Sequence, residues 1–487
     1  MAELEVDPAS VPEAVSWCVA HGAVYALPKP DMAKLGAEYD AGLAFSHAPF
    51  ALAPFPWPRA EYERVRRLQP TLSRVIDRAS RDEAWLLDAL KETVQSDAFT
   101  AAVARVYREC PNPQSLRLGL LRSDYMLDEK GSGDKRKGTA PPPARSLQVE
   151  INTIASSFAC LSQTVSELHA FLGAKKRRAL STTLKNEAGR GMAAGLAAAH
   201  GAYCAQRGIA NDAAAVAMVV QPEERNQMDQ RKLEHWLWDD HGIAMRRVTL
   251  AAVADETAGA TPATPLVLGG AEISVVYYRA GYAPEDYPTE AEWAARKVIE
   301  ASVAVKCPSA AYQLVGTKKV QQALAAPGAL ERFVRDGDVS ADEVRTVFAG
   351  LYDLDEAAPG VGEAVDAALA APEAYVLKPQ REGGGNNLYG ADVADALRKF
   401  SPAERAAYIL MERIVSKPKP GVLVRNAHRI AGDCVAELGI YGAYLADGDG
   451  AELHNEVCGH LLRQKLLGVD EGGVAAGFAV LSSPDLV

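Results

Sequence analysis

Hydrophobic and polar positions change rhythm along the chain, and each rhythm predicts a kind of element. From Asp82 to Arg108, the positions Leu86, Leu87, Leu90, Val94, Phe99, Val103 and Val106 fall mostly on one helical stripe, and the first half reads mainly helical. Leu147 to Asn152 alternates as a strand does, and Asn186 to Gln206 returns to a helix of small residues. From Ala213 to Val220 the run is continuously apolar and of strand length. A polar turn over 221–226 and a helix to about Trp238 follow. Val248-Thr-Leu250 and Ile273 to Tyr278 read as further strands, with a helix beginning near Pro288. Such strand–turn–helix alternation predicts a parallel sheet whose strand ends face a ligand. Later, Ala374–Lys378 and Ala407–Met411 read as strands around a helix over 391–400, and Ser401-Pro-Ala-Glu404 reads as a capping box opening a short helix.

The chain has 487 residues, more than one hydrophobic core normally serves, so several units are expected. The pattern marks one unit at 212–316 and another at 352–432. Between Asp128 and Ser146 the sequence turns to Gly, Lys and Asp and then to Pro141, Pro142 and Pro143, which predicts a mobile surface loop. A net charge of −11 argues against a protein that coats nucleic acid or an anionic membrane. No stretch approaches the roughly 20 apolar residues that span a bilayer, and the acidic start Met1 to Asp7 does not read as a signal peptide. Seven scattered cysteines without a C-x-x-C pair suggest a reducing compartment, the cytosol by default.

The candidate chemistry centres on K-P-Q-R-E-G-G-G-N-N-L-Y-G, Lys378 to Gly390. Gly383, Gly384 and Gly385 have no Cβ, so their backbone N–H groups can approach an anionic oxygen. Lys378, leaving an apolar strand, can reach the same phosphates. Glu382 would be repelled by bare phosphate, so it suggests a bridging cation, for which Mg2+ fits. A Gly-rich hairpin with solvated charges is the bland alternative. Neither a Walker A sequence nor a Rossmann fingerprint is present.

Other segments carry weaker signals. Glu150 and Asn152, two apart on a strand, share one face and suit a metal site, or simply a solvent-facing edge. Lys318-Lys319 could meet phosphate or lie on the surface. Arg463 and Lys465 share a face if extended, and the arginine could clamp a carboxylate. Asp470 to Gly477 could close over a ligand or form a surface loop. Glu223 to Asn226 and Arg279 to Tyr282 follow strands, where substrate recognition or ordinary turns are equally expected.

Taken together, these segments resemble the eukaryotic-type glutathione synthetases of the ATP-grasp architecture. The resemblance runs in order from His47-Ala-Pro-Phe50 through Arg122-Ser-Asp-Tyr-Met126, Glu150-Ile-Asn-Thr-Ile154, Glu224-Arg-Asn226 with Gln230, and Tyr278-Arg279 with Gly281-Tyr282. It continues through Gly316 to Val320, the long Gly-rich run, Tyr408 to Glu412, Glu437-Leu-Gly439 and Gly459 to Lys465, ending at Gly472 to Gly477. It implies an α/β fold with a parallel-sheet substrate-binding domain at 212–316 and a mobile lid at 352–432. A main body would be assembled from 1–211, 317–351 and 433–487. The implied reaction joins γ-glutamylcysteine to glycine at the expense of ATP, through an acyl phosphate, in a cytoplasmic homodimer with no nucleic-acid or membrane partner.

The same resemblance implies residue roles. ATP would be held by Glu150, Lys318, Lys378, Pro379, Gln380, Arg381, Glu382, Gly383, Gly384, Gly385, Asn386, Asn387 and Tyr389. Met411, Glu412, Arg413 and Ile414 would flank adenine, with Glu437 at the ribose and Lys465 and Glu471 nearby. Mg2+ would sit on Glu150, Asn152 and Glu382. The dipeptide side would use Arg122, Ile154, Ala155, Ser156, Ser157, Glu224, Arg225, Asn226, Gln230, Arg279, Ala280, Gly281 and Tyr282. Arg463, Val474 and Ala475 would line the substrate side under the terminal loop. Arg122, Lys378 and Arg463 would carry the catalytic charge stabilisation.

Ala155, Ala280 and Glu471 depart from the commonest family pattern, where serine, an acidic residue and aspartate are usual. Ala475-Ala476 resembles the glycine-using form; a Leu-Pro pair marks relatives that use β-alanine. The alternatives are therefore a homoglutathione-type synthetase and, from another class, a non-catalytic nucleotide-binding relative. A plastid form also fits the resemblance.

Overall fold

The computed structural model describes residues 10–27, 44–130, 143–175, 184–381 and 385–487. Its largest sheet is organised by two long antiparallel strands, His428–Ala446 and Glu452–Leu466. Seven strands lie in the order Lys419–Arg425, Phe50–Ala51, Val480–Ser482, Glu452–Leu466, His428–Ala446, Arg117–Asp128, Arg145–Asn152. Both faces of its centre are covered, so Cys434 to Ala446 is buried without a break instead of alternating in and out. Helix Arg59–Arg81 packs on one face, and helices Ala159–Lys175 and Ala188–Arg207 on the other. A Cβ on Gly195 would stand 2.7 Å from that of Ala443, so this glycine lets the helix come against the strand. Further along the same face, the strand has no helix over it and opens into a cavity.

The second sheet is parallel, as the alternating pattern predicts. Val305–Cys307, Ala271–Tyr278, Ala214–Val219 and Met245–Val248 run side by side, with Leu266–Leu268 antiparallel to the second of these. Every residue of Ala214–Val219 is buried, which accounts for its unbroken apolar run. The strand expected at 248–250 lies three residues earlier. Thr249 instead caps helix Leu250–Glu256, accepting the Ala252 N–H at 3.2 Å. The helix expected near Pro288 runs Glu290–Ala301 from a capping box of Thr289 and Glu292.

The third sheet is a small antiparallel one, in the order Leu351–Asp353, Tyr408–Glu412, Tyr375–Pro379, Leu388–Tyr389. Helices Val361–Ala370 and Ala391–Lys399 back it. Ser401 and Glu404 form the expected capping box. The long stripe from Asp82 to Arg108 is three helices, not one: Glu83–Ala89, Lys91–Ser96 and Ala98–Glu109. An acidic cap opens the first helix and another separates the second from the third, while Leu90 divides the first two without a side-chain cap. Asp82 accepts from the Trp85 N–H at 3.2 Å and Asp97 from the Thr100 N–H at 2.7 Å, each satisfying a helix-start donor that has no partner in the helix. Most of the expected loop over 128–146 lies outside the described residues, as does the acidic start. Among the described residues, no helix is long and apolar enough to cross a membrane. All seven cysteines are free; six are buried and Cys110 is half-buried. Burial pushes each thiol up, Cys18, Cys307 and Cys458 to about 12.

Two buried histidines tie the large sheet to its helices. His169 donates from Nε2 to the Ala51 carbonyl at 2.8 Å and accepts at Nδ1 from Ser483 Oγ at 2.6 Å. His460 accepts at Nδ1 from Tyr62 Oη at 3.0 Å. Burial lowers them to about 4 and about 3, with the Ala51 contact partly opposing this in the first and Arg66 reinforcing it in the second. The unfolded side chains titrate near pH 6.5. The unfolded chain therefore binds protons that the folded one refuses as pH falls from about 6.5 toward 4, and stability is lost in that direction. The thermal midpoint is expected to drop between pH 6.5 and 5, before most carboxylates titrate. A flat midpoint over that window would contradict the buried neutral state of both rings.

Candidate functional site

Strand register brings the charged residues of the large sheet to one place. Arg122 pairs with Asn152 and Tyr441, Asp124 with Glu150 and Gly439, and Glu437 with Arg463 and Met126. Residues two apart on a strand share a face, so Arg122, Asp124, Glu150, Asn152, Glu437, Arg463 and Lys465 project together. Gly439 makes room for them, since a Cβ there would stand 2.7 Å from Asp124 Oδ1 and 2.8 Å from Arg122 Cδ.

This face floors a cavity of about 570 Å³. The small antiparallel sheet roofs it with Lys378, Arg381, Asn386, Asn387, Tyr389 and Met411 to Ile414. Ile154, Ala155, Ser157, Tyr282 and Asp470 to Ala475 also line it, with Lys318 between floor and roof. Three segments that are far apart in sequence thus share one wall-to-wall space. Asn387 Nδ2 reaches Glu471 Oε1 at 3.4 Å, and Arg413 Nη2 reaches Asp470 Oδ1 at 2.6 Å, so the segment from Asp470 meets both the Gly-rich run and the end of strand Tyr408–Glu412.

The electrostatics are steep. Burial pushes the Glu150 carboxyl up, but Lys318, Lys378, Arg463 and Arg122 outweigh it and hold the group at about 2. Lys318 Nζ is 3.5 Å from Glu150 Oε2. Lys378 Nζ donates to the Val149 carbonyl at 2.8 Å, and burial lowers it to about 8 against the pull of Glu150. Burial raises Glu437, opposed by Arg463, with which it forms an ion pair. The floor therefore holds a carboxylate that stays ionised beside lysines that burial makes poorly solvated, and such cations gain most when an anion arrives.

Several expected site residues stand elsewhere. Ser156 turns its hydroxyl away from the cavity, to the Leu120 carbonyl at 3.1 Å. Gln380 lies beneath the roof, accepting the Lys319 N–H at 3.0 Å, and Pro379 ends its strand opposite Tyr408. Arg225 stacks over Tyr25 at 5.1 Å. Glu224, Asn226 and Gln230 form a cluster of their own at the ends of the parallel strands. Glu224 accepts from the Asn226 N–H and from Gln230 Nε2, both at 2.7 Å. Arg279, Ala280 and Gly281 are buried beside that cluster, which meets the cavity through Tyr282. Gly385 has φ +81°. Glu382, Gly383 and Gly384 lie outside the described residues.

Two buried carboxylates were absent from the sequence expectations. Asp124 receives Arg122 Nε at 2.6 Å and Nη2 at 2.8 Å, Arg463 Nη2 at 3.0 Å and Asn152 Nδ2 at 3.1 Å. Its place two residues after Arg122 was the available signal. Asp229 accepts the backbone N–H groups of Phe158, Cys160 and Leu161 at 2.8, 2.9 and 3.2 Å, and pairs with Arg279 at 3.1 Å. It thereby holds the segment after Asn152, where Ala155 and Phe158 have φ of 50° and 72°. Nothing local in the sequence pointed to it.

The fold is a mixed α/β one of the ATP-grasp type. It superposes with a TM-score of 0.76 on a glutathione synthetase-like effector from Globodera pallida, 21% identical, covering 99% of this chain and 98% of that one. The family model for eukaryotic glutathione synthase, ATP binding domain, matches residues 8–486. It thus reaches well before His47, where the sequence resemblance begins. The chloroplastic glutathione synthetase of Arabidopsis thaliana is 42% identical over 92% of this chain and 80% of that protein. The Homo sapiens glutathione synthetase is 38% identical over 90% of each. The chain belongs to the eukaryotic glutathione synthase family, and it is an ATP-dependent ligase.

Proposed function

We propose that the chain joins γ-glutamylcysteine to glycine, with ATP cleaved to ADP and phosphate. The observation that carries this reading is the convergence of Glu150, Asn152, Lys318 and Lys378 with Arg122 and Arg463 in one cavity of about 570 Å³. In the proposed sequence a dipeptide carboxylate oxygen bonds to the γ-phosphorus while the bond to the leaving ADP oxygen breaks. The glycine nitrogen then bonds to the acyl carbon, loses a proton and expels phosphate. Lys318 and Lys378 offset charge on the phosphates, and Arg122 and Arg463 hold the carboxylate and the tetrahedral oxygens, so the contribution is positioning and electrostatics. An acyl phosphate hydrolyses in water, and Asp470 to Ala475 meeting the roof gives a means of excluding it.

The donors suit Mg2+. Glu150 stays ionised, and Asn152 spends its amide nitrogen on Asp124 and the Arg122 carbonyl, leaving its oxygen to offer a cation. Glu382 would be the third protein ligand. Held by these residues, the ion would supply positive charge that offsets the phosphates. The proposal extends to a cytoplasmic homodimer, with a plastid location the alternative.

ADP release with γ-glutamylcysteine plus glycine, compared with β-alanine, tests the reading. Preference for glycine is expected, since Ala475-Ala476 resembles the glycine-using form and not the Leu-Pro pair of β-alanine users. Preference for β-alanine would replace the acceptor, and nucleotide binding without release under either would remove the catalytic assignment.

A further inference from the structure

We infer that Asp286 is a positioning residue for dipeptide recognition, which it serves by holding the turn that carries Tyr282. The inference rests on the reading of 279–282 as part of the dipeptide site. After strand Ala271–Tyr278 the chain turns through Arg279–Ala283 and enters one 3-10 turn, Pro284–Asp286. The Asp286 carboxylate folds back over it. Its Oδ2 accepts the N–H groups of Gly281 at 2.8 Å, Tyr282 at 3.1 Å and Ala283 at 3.3 Å. Its Oδ1 accepts Gln221 Nε2 at 2.9 Å, and that same nitrogen is 3.2 Å from the Tyr282 hydroxyl. One carboxylate therefore fixes three successive backbone donors and, through Gln221, the tip of Tyr282.

The opposite side of the turn is held as well. The Gly281 carbonyl accepts Gln313 Nε2 at 2.9 Å and the Tyr287 hydroxyl at 3.3 Å. Gly281 has φ +93°, and a Cβ there would stand 2.9 Å from Tyr287 Oη. Tyr282 lines both the main cavity and a small one of about 30 Å³ behind it. Ala280 is buried and has no polar side chain, so it offers these donors no acceptor.

Three N–H groups aimed at one point form a concavity that attracts an anion. Bonds from such donors to a carboxylate are about twice as strong as neutral ones. With Asp286 in that concavity, the turn presents a fixed Tyr282 to the cavity, and its own N–H groups are spent. Without it, three donors lose their acceptor, Gln221 loses its anchor, and the Tyr282 ring loses its hold at both ends. Asp286 is not itself a lining residue of the cavity, so it acts through Tyr282.

The test compares the full chain with Asp286→Ala and Asp286→Asn, reading KM for γ-glutamylcysteine, KM for ATP, kcat and the thermal midpoint. Asp286→Ala is expected to raise the dipeptide KM about tenfold or more, while the ATP KM stays within about twofold. Asp286→Asn is expected to recover most of the loss, since its oxygen can accept the backbone donors while the Gln221 amide reverses. An unchanged dipeptide KM in Asp286→Ala, or an ATP KM rising in step with it, would overturn the positioning role. If Asp286→Ala fails to fold, Tyr282→Phe, which cuts the Gln221 link alone, must still raise the dipeptide KM and spare that for ATP. A parent enzyme that releases no ADP with γ-glutamylcysteine removes the dipeptide reading and this role together. One that turns over yet ignores Asp286 removes only the role.

Discussion

Asp124→Ala is expected to lower both stability and turnover more than any other single change in the cavity floor. Its carboxylate is fully buried and receives two guanidinium groups and an amide. Its removal takes the carboxylate partner from buried Arg122 and leaves Arg463 with Glu437 alone, and breaking a buried pair in this way typically costs about 3–5 kcal/mol. Arg122 and Arg463 would then repel each other, and Asn152 would lose one of the two bonds that orient its amide. A fall in kcat/KM of roughly a thousandfold is expected, on the scale of losing preorganised charge stabilisation. The thermal midpoint should fall with it. Steady-state kinetics and calorimetry check both; a variant with a normal midpoint would show that the two arginines need no common counter-charge.

Lys378→Met should separate those two effects. Burial lowers this lysine to about 8, whereas in the unfolded chain it titrates near 10.5. A folded-state value below the unfolded one means that the ammonium form disfavours folding until pH rises through that window. Methionine of similar length removes the penalty, and Glu150 keeps Lys318 as a neighbour. The midpoint at pH 7 is therefore expected to hold or rise while kcat falls roughly a hundred- to a thousandfold. A drop in midpoint comparable to that of Asp124→Ala would mean that Lys378 serves folding and not phosphate. The pair of substitutions thus distinguishes a charge kept for the protein from one kept for its ligand.

The elements of the parallel sheet were legible because their apolar runs are unbroken and their turns polar. Legibility failed where a side chain does a local job that pattern does not encode. Asp82 and Asp97 look like ordinary members of a helical stripe, yet each ends one helix and caps the next. Val248 and Thr249 have strand-like side chains, but the Thr249 hydroxyl is used as a cap. For the floor of the cavity, the two-residue spacing within each strand was readable: Glu150 with Asn152, and Arg463 with Lys465. Which strands lie side by side was not, because the central pairing, Arg117–Asp128 against His428–Ala446, joins segments from opposite ends of the chain. Asp124 shares the two-residue spacing with Arg122, but that spacing does not encode its second arginine, and Asp229 acts on backbone donors about 70 positions earlier. Ser156 faces away after the positive φ of Ala155, which reorients the chain just beyond the strand end. No single-residue preference forecasts that bend.

The sequestered cysteines set how this catalyst relates to the sulfur chemistry around it. Thiol–disulfide exchange proceeds through the thiolate and needs access to it. A sulfhydryl raised to about 12 is ionised at neutral pH to only about one part in 10⁵, and six of the seven are also enclosed. Mixed disulfides between the enzyme and a thiol peptide therefore form slowly at these positions. Under the proposed reaction, changes in the oxidation state of the surrounding peptide pool would act through the supply of reduced dipeptide and not through these six enclosed thiols.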